Sequence, residues 1–221
     1  MKYTHPCISE IIEIDSNHIS TLVIENGKLF REIVADFIDQ SMGCDGQGVL
    51  SDNNKPLDIA KETEIISTFV PLELNSKSIT SKLQTRLEKM SAQNDNFMRT
   101  QQLLAQVGEY IYDLTDDLPW DIELKKLSAS SIIKAVGVEV KTDAQSLAEA
   151  IYDYMDIIRH LDKDKLFIFI NLRSYLDDKE AFALFKTITD HRFKVLLIDN
   201  CEKDKSPLEK RLIIDKDLCE I

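Results

Sequence analysis

The stretch between Lys165 and Asn200 constrains this chain most. Leu166-Phe-Ile-Phe-Ile170 is apolar at every position and ends at Asn171, and Val195-Leu-Leu-Ile198 is apolar at every position and ends at Asp199. Between them, residues 177–188 place apolar side chains at helical spacing behind an acidic first turn. A strand without polar alternation is buried on both faces, as in a parallel sheet covered by helices on each side. Two such strands around an amphipathic helix predict a β-α-β unit and an α/β fold class. Ligands of open α/β sheets gather at the C-terminal ends of the strands, where Asn171 and Asp199 stand. Both residue types also serve there as turn starters and helix caps.

A hydrophobic fraction of 43% supports a packed core. No apolar run approaches the roughly 20 residues of a membrane span, and the N-terminal Met1-Lys-Tyr-Thr-His-Pro-Cys7 lacks the apolar block of a signal peptide. Cys7, Cys44, Cys201 and Cys219 form no C-x-x-C pair, so neither a zinc site nor a disulfide framework is expected. A cytoplasmic location and no membrane partner are expected.

Taken in order, residues 10–14 read as a half-exposed strand and residues 19–24 as a stronger β-branched one. After the Asn26-Gly27 turn, residues 29–38 form an apolar helical stripe. Residues 41–56 read as a loop with at most a short strand near Val49, and residues 63–70 as a strand ending at Pro71. From Ser76 to about Leu118 there is no Pro and a single Gly. A continuous helix there would span about 60 Å, so Ser91-Ala-Gln-Asn-Asp-Asn96 is read as an interruption. A helix over residues 128–136 returns to the body, Gly137 is its C-cap candidate, and Val138-Glu-Val140 reads as a short strand. An amphipathic helix over residues 147–161 and a final strand over residues 211–214 complete the chain. The domain reading is an α/β head (residues 1–72 and 135–221) with a projecting helical leg (residues 73–134).

A phosphate-binding loop would sit between residues 21–24 and the helix that follows. It needs several glycines to curl backbone N–H groups around phosphate, then Lys with a Ser or Thr for magnesium. Here Leu22 stands where the first Gly belongs and Leu29 follows Gly27-Lys28, so the nucleotide site is degenerate. The four histidines lie apart without metal-ligand spacing and no cysteine has a neighbouring activating histidine, so the chain does not read as an enzyme. Asp113, Asp116, Asp117, Asp121 and Glu123 form the densest oxygen-ligand group. They read either as a solvated acidic turn or as donors for a hard cation, without EF-hand spacing.

The net charge of −12 opposes a chain that coats nucleic acid over its whole surface. Residues 76–108 nevertheless carry five basic and two acidic residues, giving +3 and leaving −15 for the rest. That stripe is either a solvated helix face or a focused binding surface.

The ordered set of segments resembles the type II-A CRISPR-associated adaptation family, as a divergent member. The resemblance is carried by Ile132-Ile-Lys-Ala-Val-Gly-Val138, the helix ending Ile158-Arg-His-Leu161, Lys165-Leu-Phe-Ile-Phe-Ile-Asn171, Tyr175-Leu-Asp-Asp-Lys-Glu180 and Val195-Leu-Leu-Ile198. Upstream, residues 19–24 with their helix and Leu72-Glu-Leu-Asn75-Ser-Lys-Ser-Ile79 fall in the family's order. It implies a P-loop-NTPase-like (Rossmann-like) head without a working nucleotide site and an extended α-helical leg. It also implies a homotetrameric ring, non-catalytic, that encloses double-stranded DNA, prefers free ends and acts in spacer acquisition in antiviral defence. Structural calcium ions in the legs, and contacts with other CRISPR adaptation proteins and the RNA-guided nuclease, are implied as well. Asp117, Asp121 and Glu123 fall at matching acidic positions, whereas Pro119 and Trp120 replace an acidic and an apolar residue. Lys134 matches a basic position, but Glu139 stands where the family usually has Lys.

Lys77, Lys82, Arg86, Lys89, Lys125, Lys126 and Lys134 are the expected phosphate contacts, and Asp113, Asp116, Asp117, Asp121 and Glu123 the expected calcium ligands. The rival reading is an ATPase with a non-standard phosphate loop at Gly27-Lys28, using Asn171 and Asp199. An inert protein-binding module is a third.

Overall fold

The computed structural model describes residues 1–221. The chain divides into two compact units, Met1–Leu72 together with Thr142–Ile221, and Glu73–Lys141.

The first unit is built on five parallel strands. They are β3 (Ile19–Ile24), β6 (Thr63–Ile66), β7 (Leu166–Ile170), β8 (Lys194–Asp199) and β9 (Glu209–Ile214), in the order β6-β7-β8-β3-β9. Every residue of β3 and β7 is buried; in β7 this is the physical meaning of the unbroken apolar sequence, whereas in β3 the buried Ser20 and Thr21 hydroxyls donate to the Glu13 carbonyl and to Glu209 Oε1. Leu22, Ile24, Leu166, Ile168, Leu196 and Ile198 belong to one core with Leu29, Ile33 and Phe37 of helix α1 (Gly27–Ser41). Side chains alternate across a strand, so Thr21, Phe167, Phe169, Leu197 and Asp199 face the other way. On that face Phe167 meets Phe193 edge-on at 5.7 Å, and Phe69 lies 6.1 Å from Phe169. Helices α6 (Leu147–Leu161) and α7 (Asp178–Asp190) pack on each other. Asp177 opens α7 with a reciprocal capping box to Glu180.

The loop expected over residues 41–56 contains ordered pairing. β1 (Lys2–His5), β2 (Ile8–Glu13), β4 (Val49–Asp52) and β5 (Lys55–Pro56) form a separate antiparallel sheet, β2-β1-β4-β5. Asn53 and Asn54, both at positive φ, make the tight β4–β5 turn. Helix α2 (Ile59–Glu62) precedes β6, and the strand expected over residues 63–70 is shorter because its pairing with β7 stops at Ile66.

The second unit contains α3 (Lys77–Ser91), α4 (Asn94–Asp113) and α5 (Ala129–Val136). The interruption expected at residues 91–96 is the α3–α4 junction, where Asn96 Nδ2 donates to the Met90 carbonyl at 3.1 Å and Thr100 Oγ1 to the Ser91 carbonyl at 3.1 Å. α5 packs along α3 and ends at Gly137, whose φ of +70° is the left-handed cap position that favours glycine. Residues 138–140 form no strand, contrary to the sequence expectation. Val140 instead finds its partners in one side chain: Asn75 Oδ1 accepts from the Val140 N–H at 2.8 Å, and Asn75 Nδ2 donates to the Val140 carbonyl at 3.0 Å. Residues 135–141, read from sequence as part of the α/β body, therefore belong to the helical unit.

Candidate nucleic-acid interface

The helical unit holds nine basic and ten acidic residues, so it carries −1 of the chain's −12 and the α/β unit carries −11. Its charges are segregated along the sequence. Five basic residues lie on α3 and the start of α4, and five acidic ones crowd residues 113–123.

On α3, Lys82, Arg86 and Lys89 follow one another at four and three residues. At 3.6 residues per turn they fall within an arc of roughly 60°. Arg86 and Lys89 are exposed and Lys82 is half-buried. The apolar stripe Ile79, Leu83, Leu87 and Met90 runs beside them. Lys77 is the first residue of α3, exposed but off that arc, where the positive end of the helix dipole disfavours it. Lys134 is exposed in the last turn of α5, and there its charge also complements the dipole. Lys125 and Lys126 are exposed in the irregular segment between α4 and α5. The structure thus places three of the seven expected phosphate contacts on one face and spreads the other four. Arg99 on α4 and Lys141 at the end of the unit are exposed as well; their charge was visible in the sequence, but no pattern singled them out.

The apolar side of the unit is incomplete. Ile79 is its only buried residue, and α4 buries none. Phe97, Leu103, Tyr110, Leu114, Trp120 and Val136 are all exposed large hydrophobics, Trp120 at 70%.

The expected calcium ligands do not come together. Asp113 ends α4, Asp116 and Asp117 lie in the turn that follows, and Asp121 and Glu123 in the irregular segment beyond it; all five are exposed. Calcium takes six to eight converging oxygens. No group of three or more His, Cys, Asp or Glu side chains in the structure is arranged to hold a metal ion. Within one chain this donor set does not fit calcium.

The strand ends of the α/β unit offer no phosphate cradle. Only Glu25 and Asn26 separate β3 from α1, and Asn26 Oδ1 accepts from both Lys28 N and Leu29 N at 3.1 Å. The N–H groups that would meet an anion at this helix start are therefore engaged. Asn171 adopts a left-handed conformation, and its Oδ1 accepts from Asn200 N at 3.0 Å, which is a turn-forming role. Asp199 is 2% exposed and neither of its oxygens has a well-aligned hydrogen bond.

The histidines have local partners. His18 lies 3.3 Å from Asp15, His160 3.3 Å from Asp156, and His191 beside Tyr152. No helix is long and apolar enough to cross a membrane.

Comparison with known proteins agrees with this architecture. The profile of the family described as "CRISPR-associated protein (Cas_Csn2)" matches residues 40–218. A CRISPR-associated protein Csn2 of Streptococcus agalactiae is 22% identical over 218 residues, covering 98% of this chain and 96% of that protein. A Csn2 of Enterococcus faecalis is 24% identical over 146 residues, 66% of this chain and 65% of that protein. Among solved structures, Stu0660 of Streptococcus thermophilus superposes with a TM-score of 0.59 at 12% identity, covering 97% of this chain and 75% of the other, a likeness of fold. A profile match over most of the chain, with one relative matching at low identity over nearly its whole length and another over two thirds of it, makes this chain a divergent member of the Csn2 family of type II-A CRISPR adaptation proteins.

Proposed function

We propose that this protein is a non-catalytic scaffold that encloses double-stranded DNA, with a preference for free ends, during spacer acquisition. The observation that carries this reading is the character of the helical unit. It is close to neutral where the rest of the chain is strongly acidic. It sets Lys82, Arg86 and Lys89 on one helix face, and it exposes large apolar side chains that its own fold does not cover. Exposed hydrophobics on this scale mark protein contact surfaces. Copies of the chain covering one another's exposed apolar side chains would close into an assembly whose basic helix faces meet the duplex. Such a closed ring is the ordinary outcome of head-to-tail contacts that meet their starting point, and four chains is the number the family resemblance suggests. The head then serves as a rigid α/β body, akin to a P-loop ATPase without its phosphate cradle. Contacts with other adaptation proteins and with the RNA-guided nuclease would fall to its surface.

Phosphate contacts by Lys and Arg are independent of sequence and weaken with salt. The test combines light scattering with fluorescence anisotropy on linear duplexes of unrelated sequence. The reading requires a mass several times that of the chain, equal affinity across sequences and a steep fall with salt. A monomer, or an absence of duplex binding at low salt, overturns it.

The ATPase reading has one observation in its favour, the buried carboxylate of Asp199. The occupied N-terminus of α1 stands against it. Calorimetry with ATP and magnesium, giving no binding heat for the wild type, excludes it.

A further inference from the structure

Asp199 ends β8 in a buried charged cluster that has no part in the proposed DNA contact. Two arginines hold the loop over residues 200–208 through its carbonyls. Arg173, in the 3-10 turn after β7, donates to the Asp204 carbonyl at 3.3 Å, to Asp178 Oδ1 at 3.0 Å and to Glu209 Oε2 at 3.5 Å. Arg211, on β9, donates to the Lys203 carbonyl at 2.7 Å, to the Asp204 carbonyl at 3.4 Å and to Glu209 Oε2 at 3.2 Å, and it pairs with Glu202 at 3.4 Å. Glu209 completes the attachment, its Oε2 accepting from Ser206 N at 2.6 Å and its Oε1 from Thr21 Oγ1 at 3.0 Å. Both arginine side chains and Glu209 are almost fully buried.

The hydrogen bonds leave a specific mismatch. Neither oxygen of Asp199 has a well-aligned hydrogen bond, although the Arg173 backbone N–H lies close enough to favour its ionised form, and the Nε of both Arg173 and Arg211 is buried without a partner. The charged groups that face Asp199 are Arg173 from the turn after β7 and Glu209 and Arg211 from β9. Thr21, on β3, brings no charge. Asp178 from α7 and Glu202 from the loop meet the arginines from the outside and are exposed. The two guanidinium groups thus share the buried Glu209 carboxylate between them, and Asp199 is the second buried carboxylate of the cluster. With Asp199 neutral, one positive charge of the cluster is met only by Asp178, Glu202 and the loop carbonyls. With Asp199 ionised, the cluster balances internally and the arginines need those outer partners less.

We propose that the 200–208 loop is a strap held by Arg173 and Arg211 while Asp199 is protonated, and loosened when Asp199 ionises and draws the guanidinium groups inward. Burial pushes the Asp199 carboxyl up to about 6, with Glu209 adding to the rise. The nearby Arg173 N–H and guanidinium, and Arg211, oppose it. The change therefore falls between mildly acidic and neutral pH.

Amide hydrogen exchange over residues 200–208 tests the strap, with rates corrected for intrinsic pH dependence. In the wild-type protein, protection is expected to fall roughly tenfold between pH 5 and pH 7.5. Asp199→Asn should keep the low-pH protection at both values. Asp178→Asn supplies a test that does not depend on that variant folding. It removes an outer partner of Arg173, favours ionised Asp199 and should move the midpoint of the wild-type transition to lower pH. Equal wild-type protection at both pH values, a wild-type response in Asp199→Asn, or an unmoved midpoint in Asp178→Asn overturns the proposal.

Discussion

Replacing Lys82, Arg86 and Lys89 together by Gln tests the proposed interface quantitatively. The three side chains share one face of α3 over seven residues, about 10 Å of helix axis at 1.5 Å per residue. That is about three rises of 3.4 Å along one DNA strand, so a single duplex backbone can meet all three. Each phosphate contact steepens the dependence of log K on log salt by about 0.9. The triple variant should therefore flatten the slope by about 2.7 per bound chain and weaken binding about 500-fold at 0.1 M salt. Gln retains a helix propensity close to that of Lys and Arg, so circular dichroism should be unchanged. The assay is anisotropy of a labelled linear duplex across a salt series. Lys77→Gln, off the shared face, should flatten the slope by no more than about 0.9. Lys61→Gln on α2, where Lys61 pairs with Asp58 at 2.8 Å, should leave it unaltered. A triple variant whose slope stays within about 1 of the wild type refutes the assignment of this face to phosphate.

Three further outcomes follow from the structure. Asn75→Ala removes both hydrogen bonds to Val140 and should cost about 1–3 kcal/mol of local stability, read as faster exchange of the Val140 amide; unchanged exchange contradicts the assignment of Asn75 as the partner of Val140. Ile168→Ala, at a fully buried position of β7, should lower unfolding stability by about 2–5 kcal/mol in a urea melt; a loss below about 1 kcal/mol would mean that this position is not packed in the core. Asp199 has a folded-state pKa raised from the ordinary 3.8 to about 6, so its contribution is fully present below 3.8 and is lost as pH rises through 6. Wild-type stability should thus decline by up to about 3 kcal/mol over that window relative to Asp199→Asn, and parallel profiles for the two proteins would contradict the burial argument.

The parts of the fold legible in sequence were those with strong local patterns. β7 and the Val195–Ile198 run of β8 were visible because burial on both faces leaves no polar position there, β3 because it is rich in β-branched residues, and α6 because its apolar stripe is long. Gly137 was readable as a cap because its φ favours glycine. The antiparallel sheet was less visible. β1 is four residues long, and β4 and β5 are a short pair within a glycine-rich stretch. Residues 138–140 look like a strand by composition, yet Asn75, 65 residues away in the chain, takes both backbone groups of Val140. No local signal reveals such a partner. The same holds at the candidate site. The basic residues were found by charge, but only the helix geometry groups Lys82, Arg86 and Lys89 and sets Lys77 apart. The acidic group was found by density, and density does not make carboxylates converge. The strap cluster around Asp199 was out of reach for a similar reason, since Arg173, Glu209 and Arg211 meet it only through the sheet order.

The proposal that the protein encircles duplex DNA is tested most directly by topology. Binding should be measured on a linear duplex and on a covalently closed circle of the same length and sequence, at low salt. An enclosing assembly loads over a free end, so the account predicts firm binding of the linear form and little of the circle, with binding restored when the circle is cut once. Equal binding of linear and closed DNA contradicts it.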